Sequence, residues 1–310
     1  MKNHAIRSTI RVLLFVVDRA PPGFLFRVGS LSGRLAHRIF GGARKRACRR
    51  IAASLPGADA ETTTRACFEN AGKNLALSLL LRRPGVRAAD YVALPDASRG
   101  VLDRALAGGR GAIVVSAHIG PFEMIPALLV ESGFSPSIVV RESYDPKLDR
   151  VADAHRRGRG VDVIHRGHEH AALRVVRALR GGRPVGILPD VGGRGVAATA
   201  ARFLGRSVAF PASVERLATR VACPIVVGTL ASTLGKSSHV PFELRFELLD
   251  EGLEASGRSV TQCVADAVTR AILRTPEHWL WMAPPHLAIA DDSSNSLFSG
   301  VLPSSELGPA

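Results

Sequence analysis

The feature that most constrains this chain is a repeating alternation of short apolar runs with stretches of helical length. The runs are Ala112-Ile-Val-Val-Ser116, Ser137-Ile-Val-Val140, Val161-Asp-Val-Ile164, Pro184-Val-Gly-Ile-Leu188 and Pro224-Ile-Val-Val-Gly-Thr229. They are short and nearly continuous in apolar character, as strands are when both faces are buried. Between and after them, residues 121–132, 146–157, 169–179, 211–220 and 259–273 have helical patterning. Residues 99–107 form a helix ahead of the first run, stopped at Gly108-Gly109, and Gly181-Gly182 closes 169–179. Residues 240–249 alternate more strictly and predict a more exposed strand. This order predicts an α/β fold with a mostly parallel central sheet flanked by helices. In such folds, sites gather at the carboxyl ends of the strands.

The first 83 residues have no such alternation and read as helical. A basic helix over 43–55 ends at Pro56-Gly57, and a second over 59–81 ends at Arg82-Arg83-Pro84-Gly85. Charge is concentrated here. Residues 1–50 hold twelve Lys and Arg against one acid, Asp18, in a chain whose net charge is +14. Such a basic end implies contact with something anionic, or a solvated basic face. The run Val12-Leu-Leu-Phe-Val-Val17 is far short of the ~20 apolar residues that a bilayer span needs. Residues 5–17 and 23–40 mix Ile, Leu, Val and Phe with spaced Arg. That composition suits a helix lying in the headgroup layer with its Arg side chains reaching phosphate, or a helix packed on the domain. The expected organisation is a helical, membrane-associating region over 1–83, an α/β domain over 84–290, and a Ser-, Pro- and Gly-rich tail over 291–310, read as disordered. Cys48, Cys67, Cys223 and Cys263 show no CxxC spacing and read as reduced, small apolar residues.

His118 directly follows the first apolar run, in Ser116-Ala-His-Ile-Gly-Pro-Phe-Glu123. Gly120-Pro121 is a helix-start signal, which sets Glu123 in the first helical turn. Across such a turn an imidazole and a carboxylate can meet. The carboxylate then fixes the tautomer and leaves the other ring nitrogen to accept a proton. The plain alternative is a capping Glu beside an incidental His. Arg141 ends the second run, where a cation can hold a phosphate or carboxylate or pair with Glu142 or Asp145. Asp190 ends Pro184-Val-Gly-Ile-Leu-Pro-Asp190 and leads into a glycine-rich loop. Gly193-Arg-Gly195 in that loop lacks a full GxGxxG, so it reads as a substrate-covering or connecting loop, not a dinucleotide site. Arg206, in Phe203-Leu-Gly-Arg206, is a weaker cation of the Arg141 kind. His165, His168 and His170 cluster beside Arg166 and read as a solvated loop rather than a metal site.

Taken in order, these pieces resemble the late acyltransferases of bacterial lipid A biosynthesis, a branch of the lysophospholipid acyltransferase superfamily. The family signature is a His and an acid four residues apart, here His118-Ile-Gly-Pro-Phe-Glu123. Val139-Val-Arg141 resembles the second block and Gly186-Ile-Leu-Pro-Asp190 the third. Phe203-Leu-Gly-Arg206 with Pro211, Pro224-Ile-Val, and Pro276-Glu-His-Trp-Leu-Trp281 resemble those that follow. The chain departs from the pattern at Pro121-Phe122, at Val191 and at Met282-Ala-Pro-Pro285. The resemblance implies O-acyl transfer from a thioester to a glycolipid hydroxyl at the cytoplasmic face of the inner membrane. His118 would be the base and Glu123 its partner, with Arg141, Asp190 and Arg206 on the substrate and no cofactor or metal. It implies acyl carrier protein or acyl-CoA as donor, a lipid A precursor-like glycolipid as acceptor and an anionic membrane surface as partner. Phosphatidylinositol mannoside acyltransferases share the pattern. A reading of another class is a non-catalytic basic protein bound to membrane or nucleic acid. Only 5% of residues are aromatic and no nucleic-acid-binding motif is present, so nucleic acid is not an expected partner.

Overall fold

A computed structural model describes residues 17–141, 146–191, 196–233, 240–249 and 257–283. The expectations for the Val12–Val17 run, apart from Val17 itself, for Gly193-Arg-Gly195 and for the 291–310 tail lie outside these residues.

After a helical stretch at residues 17–19 come three helices: α1 (Pro22–Ile39), α2 (Gly41–Ser54) and α3 (Ala60–Leu80). Asp59 caps α3, accepting from the N–H groups of Glu61 and Thr62 at 3.1 and 3.0 Å. These are donors that the first helical turn would otherwise leave unpaired. α1 and α3 touch backbone to backbone at a glycine seam. A Cβ on Gly72 would lie 2.0 Å from the Gly29 carbonyl oxygen, and one on Gly33 would lie 2.2 Å from that of Phe68. Across the seam Ser30 and Arg34 donate to Glu69 at 2.8 and 3.0 Å. α2 binds the far end of the chain, where Arg50 donates to the carbonyls of Trp281 and Ala283 at 2.8 and 2.6 Å. Ala47, Ile51 and Cys67 are buried in the same apolar cluster as sheet residues Ile113, Val185 and Ile225.

The alternating part follows as β1 (Val92–Ala93), α4 (Asp96–Leu106), β2 (Ala112–Val115), α5 (Met124–Glu131), β3 (Ser137–Val140), α6 (Pro146–Gly158) and β4 (Asp162–His165). Next are α7 (Ala171–Arg180), β5 (Pro184–Ile187), β6 (Ala198–Phe203), β7 (Arg206–Pro211), α8 (Ser213–Val221), β8 (Ile225–Ser232), β9 (Phe242–Leu248) and α9 (Val260–Arg274). Seven strands form one sheet in the order β1-β9-β8-β2-β5-β3-β4. Neighbours run parallel except β8 and β9. The fold is the predicted α/β class, with a mostly parallel central sheet, flanking helices and a basic helical N-terminal region.

β2 shows why both faces had to be apolar. Ile113 and Val115 belong to the buried cluster that includes α7, α8 and α9. Ala112 and Val114 belong to the one that includes α4 and α5. Alternate residues of a strand point to opposite faces, so a sheet covered twice needs no polar position in its interior strands.

The hairpin β6–β7 and the two-residue β1 are not in the sequence reading. β6 is Ala-Thr-Ala-Ala-Arg-Phe, poor in the β-branched residues that mark strands. Its turn is Leu204-Gly205, both at positive φ (49° and 79°). That is the conformation of a tight hairpin turn, but a leucine in it gives no sequence signal.

Candidate active site

β2, β5 and β3 are neighbours in the sheet, and their carboxyl ends deliver the site. β2 leads through Ser116-Ala117 to His118, β3 runs straight into Arg141, and β5 leads through Leu188-Pro189 to Asp190. The strand-end placement follows the parallel topology.

Asp190 is the carboxylate that meets His118. Its Oδ1 lies 2.9 Å from His118 Nδ1, and its Oδ2 accepts the His118 backbone N–H at 2.8 Å. Oδ2 also accepts the indole N–H of Trp279 at 2.8 Å. The Asp190 side chain is fully buried, while that of His118 keeps 25% of its surface. With Nδ1–H donating to Asp190, the lone pair lies on Nε2. Nε2 makes no hydrogen bond among the described residues, and His118 lines the cavity described below. The Phe122 ring stands edge-on to the imidazole, centroids 4.7 Å apart. Burial pulls the His118 pKa down most strongly. The Asp190 charge and hydrogen bond, with a further pull from Glu123, outweigh it and leave the group above its ordinary value.

Glu123 sits elsewhere than the sequence places it. α5 begins at Met124, and Pro121-Phe-Glu123 forms a turn ahead of it, with the Met124 N–H on the Pro121 carbonyl at 2.8 Å. The turn follows Gly120, whose φ of +58° is open to glycine and strained for other residues. The Glu123 carboxylate is held in a fork by Arg156 of α6 at 2.7 and 3.2 Å. Its direct partner is therefore a guanidinium. His118 feels the Glu123 charge, but its hydrogen bond goes to Asp190.

A cavity of about 810 Å³ opens at this edge, within the range of small-molecule sites. His118, Glu123, Arg156 and Arg141 line it. So does Arg166, which follows β4 and whose N–H donates to the Val140 carbonyl at 2.8 Å. Arg141 and Arg166 thus stand beside each other at the ends of adjacent strands. Burial, then the Arg141 charge, lowers the Arg166 pKa. The rest of the lining is largely apolar and continues beneath α5, past Ile125 and Leu129, to Pro136 and Pro184 at the amino ends of β3 and β5. Arg206 does not line the cavity. It is exposed at the tip of the β6–β7 hairpin, near enough to Arg50 to lower that group's pKa, behind the larger effects of burial, Arg46 and Arg49. His165 is no part of a solvated loop. It is the buried last residue of β4, 2.6 Å from Asp153 and stacked on His168.

Sequence reasoning therefore found His118, Arg141 and Asp190 at one edge and expected the imidazole's hydrogen bond at Glu123, where the structure has it at Asp190. It missed Arg156, Arg166 and the indole of Trp279. The signal for Asp190 was available, as an acid directly after a buried strand needs a partner. Nothing local reveals that Trp279, 89 residues on, supplies a donor.

The site is thus a histidine just past the end of an interior strand of an α/β sheet, held by a buried carboxylate and facing a largely apolar cavity. The chain belongs to the bacterial lipid A biosynthesis acyltransferase family, whose model matches residues 3–286. No curated protein matches it. Membership makes the chain an acyltransferase, with an acyl donor and a lipid acceptor as substrates.

Proposed function

We propose that this chain moves a fatty acyl chain from a thioester to a hydroxyl of a lipid A precursor-like glycolipid, with His118 as general base. The observation that carries the reading is the Asp190–His118 pair at the mouth of an apolar cavity. His118 Nε2 takes the acceptor's hydroxyl proton as that oxygen attacks the thioester carbonyl carbon. The carbon–oxygen bond forms and the carbon–sulfur bond breaks. The imidazolium returns the proton to the leaving thiolate, so the base is regenerated without a cofactor. Asp190 holds the productive tautomer and stabilises the imidazolium. Glu123, fixed by Arg156, adds negative charge nearby and has no direct bond to the ring.

Arg141, with Arg166 beside it, is suited to an anionic group on the acceptor. Arg206 has no part in this reading, since it stands outside the cavity. The acyl chain occupies the apolar part of the cavity beneath α5. The donor is acyl carrier protein or acyl-CoA, both acidic and matched to the basic N-terminal helices. The reaction takes place at the cytoplasmic face of the inner membrane, with residues 1–83 as the membrane-associating part. No described helix is long and apolar enough to cross a membrane, and the attachment proposed is one in the plane of the surface.

The test is incubation of purified protein with acyl carrier protein and CoA thioesters and a panel of glycolipid acceptors, with mass detection of product. The panel includes lipid A precursors and phosphatidylinositol mannosides. The wild type is expected to give an acylated lipid A precursor. His118→Ala is expected to give none while keeping its circular dichroism. A folded His118→Ala with wild-type turnover would overturn the mechanism.

A further inference from the structure

Gly186 is a glycine that the backbone does not need. It lies within β5, an interior strand, where glycine weakens a sheet. Its φ is not positive. No neighbour crowds it: a Cβ there would first meet Ile138 Cγ2 at 3.4 Å and the Ser137 oxygen at 3.8 Å, ordinary contacts. Gly228, the glycine of β8, has a plain packing reason, since a Cβ there would lie 2.7 Å from the Phe246 ring. Gly186 has no such reason.

What it provides is space. Register pairs Gly186 with Val114 on one side and Ile138 on the other, so all three face the same way. All three line the cavity, as do Ile125 and Leu129 of α5. The cavity continues beyond them to Pro184, so a chain entering at His118 passes Gly186 before reaching the far end. β3 pairs with β5 only at Ser137–Val185 and Ile138–Gly186, whereas β2 pairs with β5 at four positions. Towards their carboxyl ends β3 and β5 therefore part, and Gly186 sits where they do. Cavity-lining residues lie on both faces there, with Ile138 on one and Val139 on the other.

We propose that Gly186 sets the length of acyl chain this enzyme accepts: its missing side chain is the notch through which the distal part of the chain runs towards Pro184. The proposal rests on the acyl-transfer reading above. A methyl at this position fits the fold and narrows the notch. A branched side chain closes it and confines the donor to the half of the cavity near His118.

The experiment compares wild type, Gly186→Ala and Gly186→Val on a graded series of saturated acyl thioesters, carried both on acyl carrier protein and on CoA, measuring kcat/KM for each. Gly186→Val is expected to lower the ratio of long-chain to short-chain kcat/KM by roughly tenfold or more, the scale on which apolar pockets discriminate single methylenes. Gly186→Ala is expected to shift it the same way by less. Leu129→Ala, which enlarges the same space from the helix side, is expected to shift preference towards longer chains. If Gly186→Val is inactive with every donor, Gly186→Ala and Leu129→Ala decide. Active variants with the wild-type chain-length profile would overturn the proposal. A wild type that transfers no member of the series would instead overturn the acyl-transfer reading beneath it, so the two failures are distinct.

Discussion

Asp190→Asn is expected to lower kcat/KM for acyl transfer by about 10²–10⁴-fold, the usual worth of a positioned general base, while Glu123→Gln costs far less. Asn has the shape of Asp. Its amide oxygen can still accept from the His118 backbone and from Trp279, the two N–H donors now on Oδ2. Its amide NH₂ then faces Nδ1 and drives the imidazole proton to Nε2. The atom that should accept the substrate proton would already carry one. Glu123→Gln leaves the tautomer alone and removes a charge already engaged by Arg156.

The pH profile separates the two acids further. A general base must be neutral, so kcat/KM falls as pH drops through the His118 pKa. That pKa lies above its ordinary value of 6.5, because Asp190 and Glu123 outweigh the larger single effect of burial. The acid limb of the wild type is therefore expected above pH 6.5. In Asp190→Asn, burial loses its main opponent and the limb moves to lower pH. In Glu123→Gln it moves the same way by less, since Glu123 is the smallest of these contributions. A Glu123→Gln profile that moves further than that of Asp190→Asn, with the greater loss of rate, would return the partner role to Glu123.

How much of this was legible in the sequence depends on how local each cause is. The interior strands of the sheet were legible, because burial on both faces leaves short continuous apolar runs such as Ile113–Val115. The strand-end positions of His118, Arg141 and Asp190 follow directly from those runs and the parallel topology. The His118–Glu123 pairing rested on nearness in sequence, and the positive φ of Gly120 breaks that logic. The turn it begins sends Glu123 towards α6, a direction fixed by Arg156, 33 residues away. Asp190 reaches His118 because β2 and β5 are neighbours in the sheet, and strand order is not written in any one segment. The β6–β7 hairpin was hidden for another reason: its turn relies on a leucine held at positive φ, which only the surrounding fold can impose.

The N-terminal helices carry the other large expected effect. Phe24, Val28, Leu31, Leu35 and Ile39 are spaced by four, three, four and four residues, so they share one face of α1. That face is open: Phe24 is 50%, Leu31 60%, Leu35 55% and Ile39 63% exposed. The opposite face, through Leu25, Gly29 and Gly33, is buried, with both glycines in the seam against α3. Exposed Arg27, Arg34 and Arg38 border the stripe. An apolar stripe rimmed by cations, on an enzyme family with lipid substrates, has the chemistry to meet an anionic lipid surface, the partner proposed above. Burying one leucine side chain is worth about 1.5–3 kcal/mol. Leu31→Glu with Leu35→Glu is therefore expected to weaken binding to anionic liposomes by about 10²–10⁴-fold. Reversing Arg27 and Arg38 to Glu is expected to weaken it mainly at low salt, where surface charge is least screened. Sedimentation with liposomes at two salt concentrations reads both, and circular dichroism checks that the helices persist. A folded Leu31→Glu, Leu35→Glu protein that sediments as wild type does would show that the stripe meets something other than lipid. The double variant leaves His118, Asp190 and the cavity untouched. It is therefore expected to lose transfer to an acceptor held in vesicles and to keep transfer to the same acceptor dispersed in detergent.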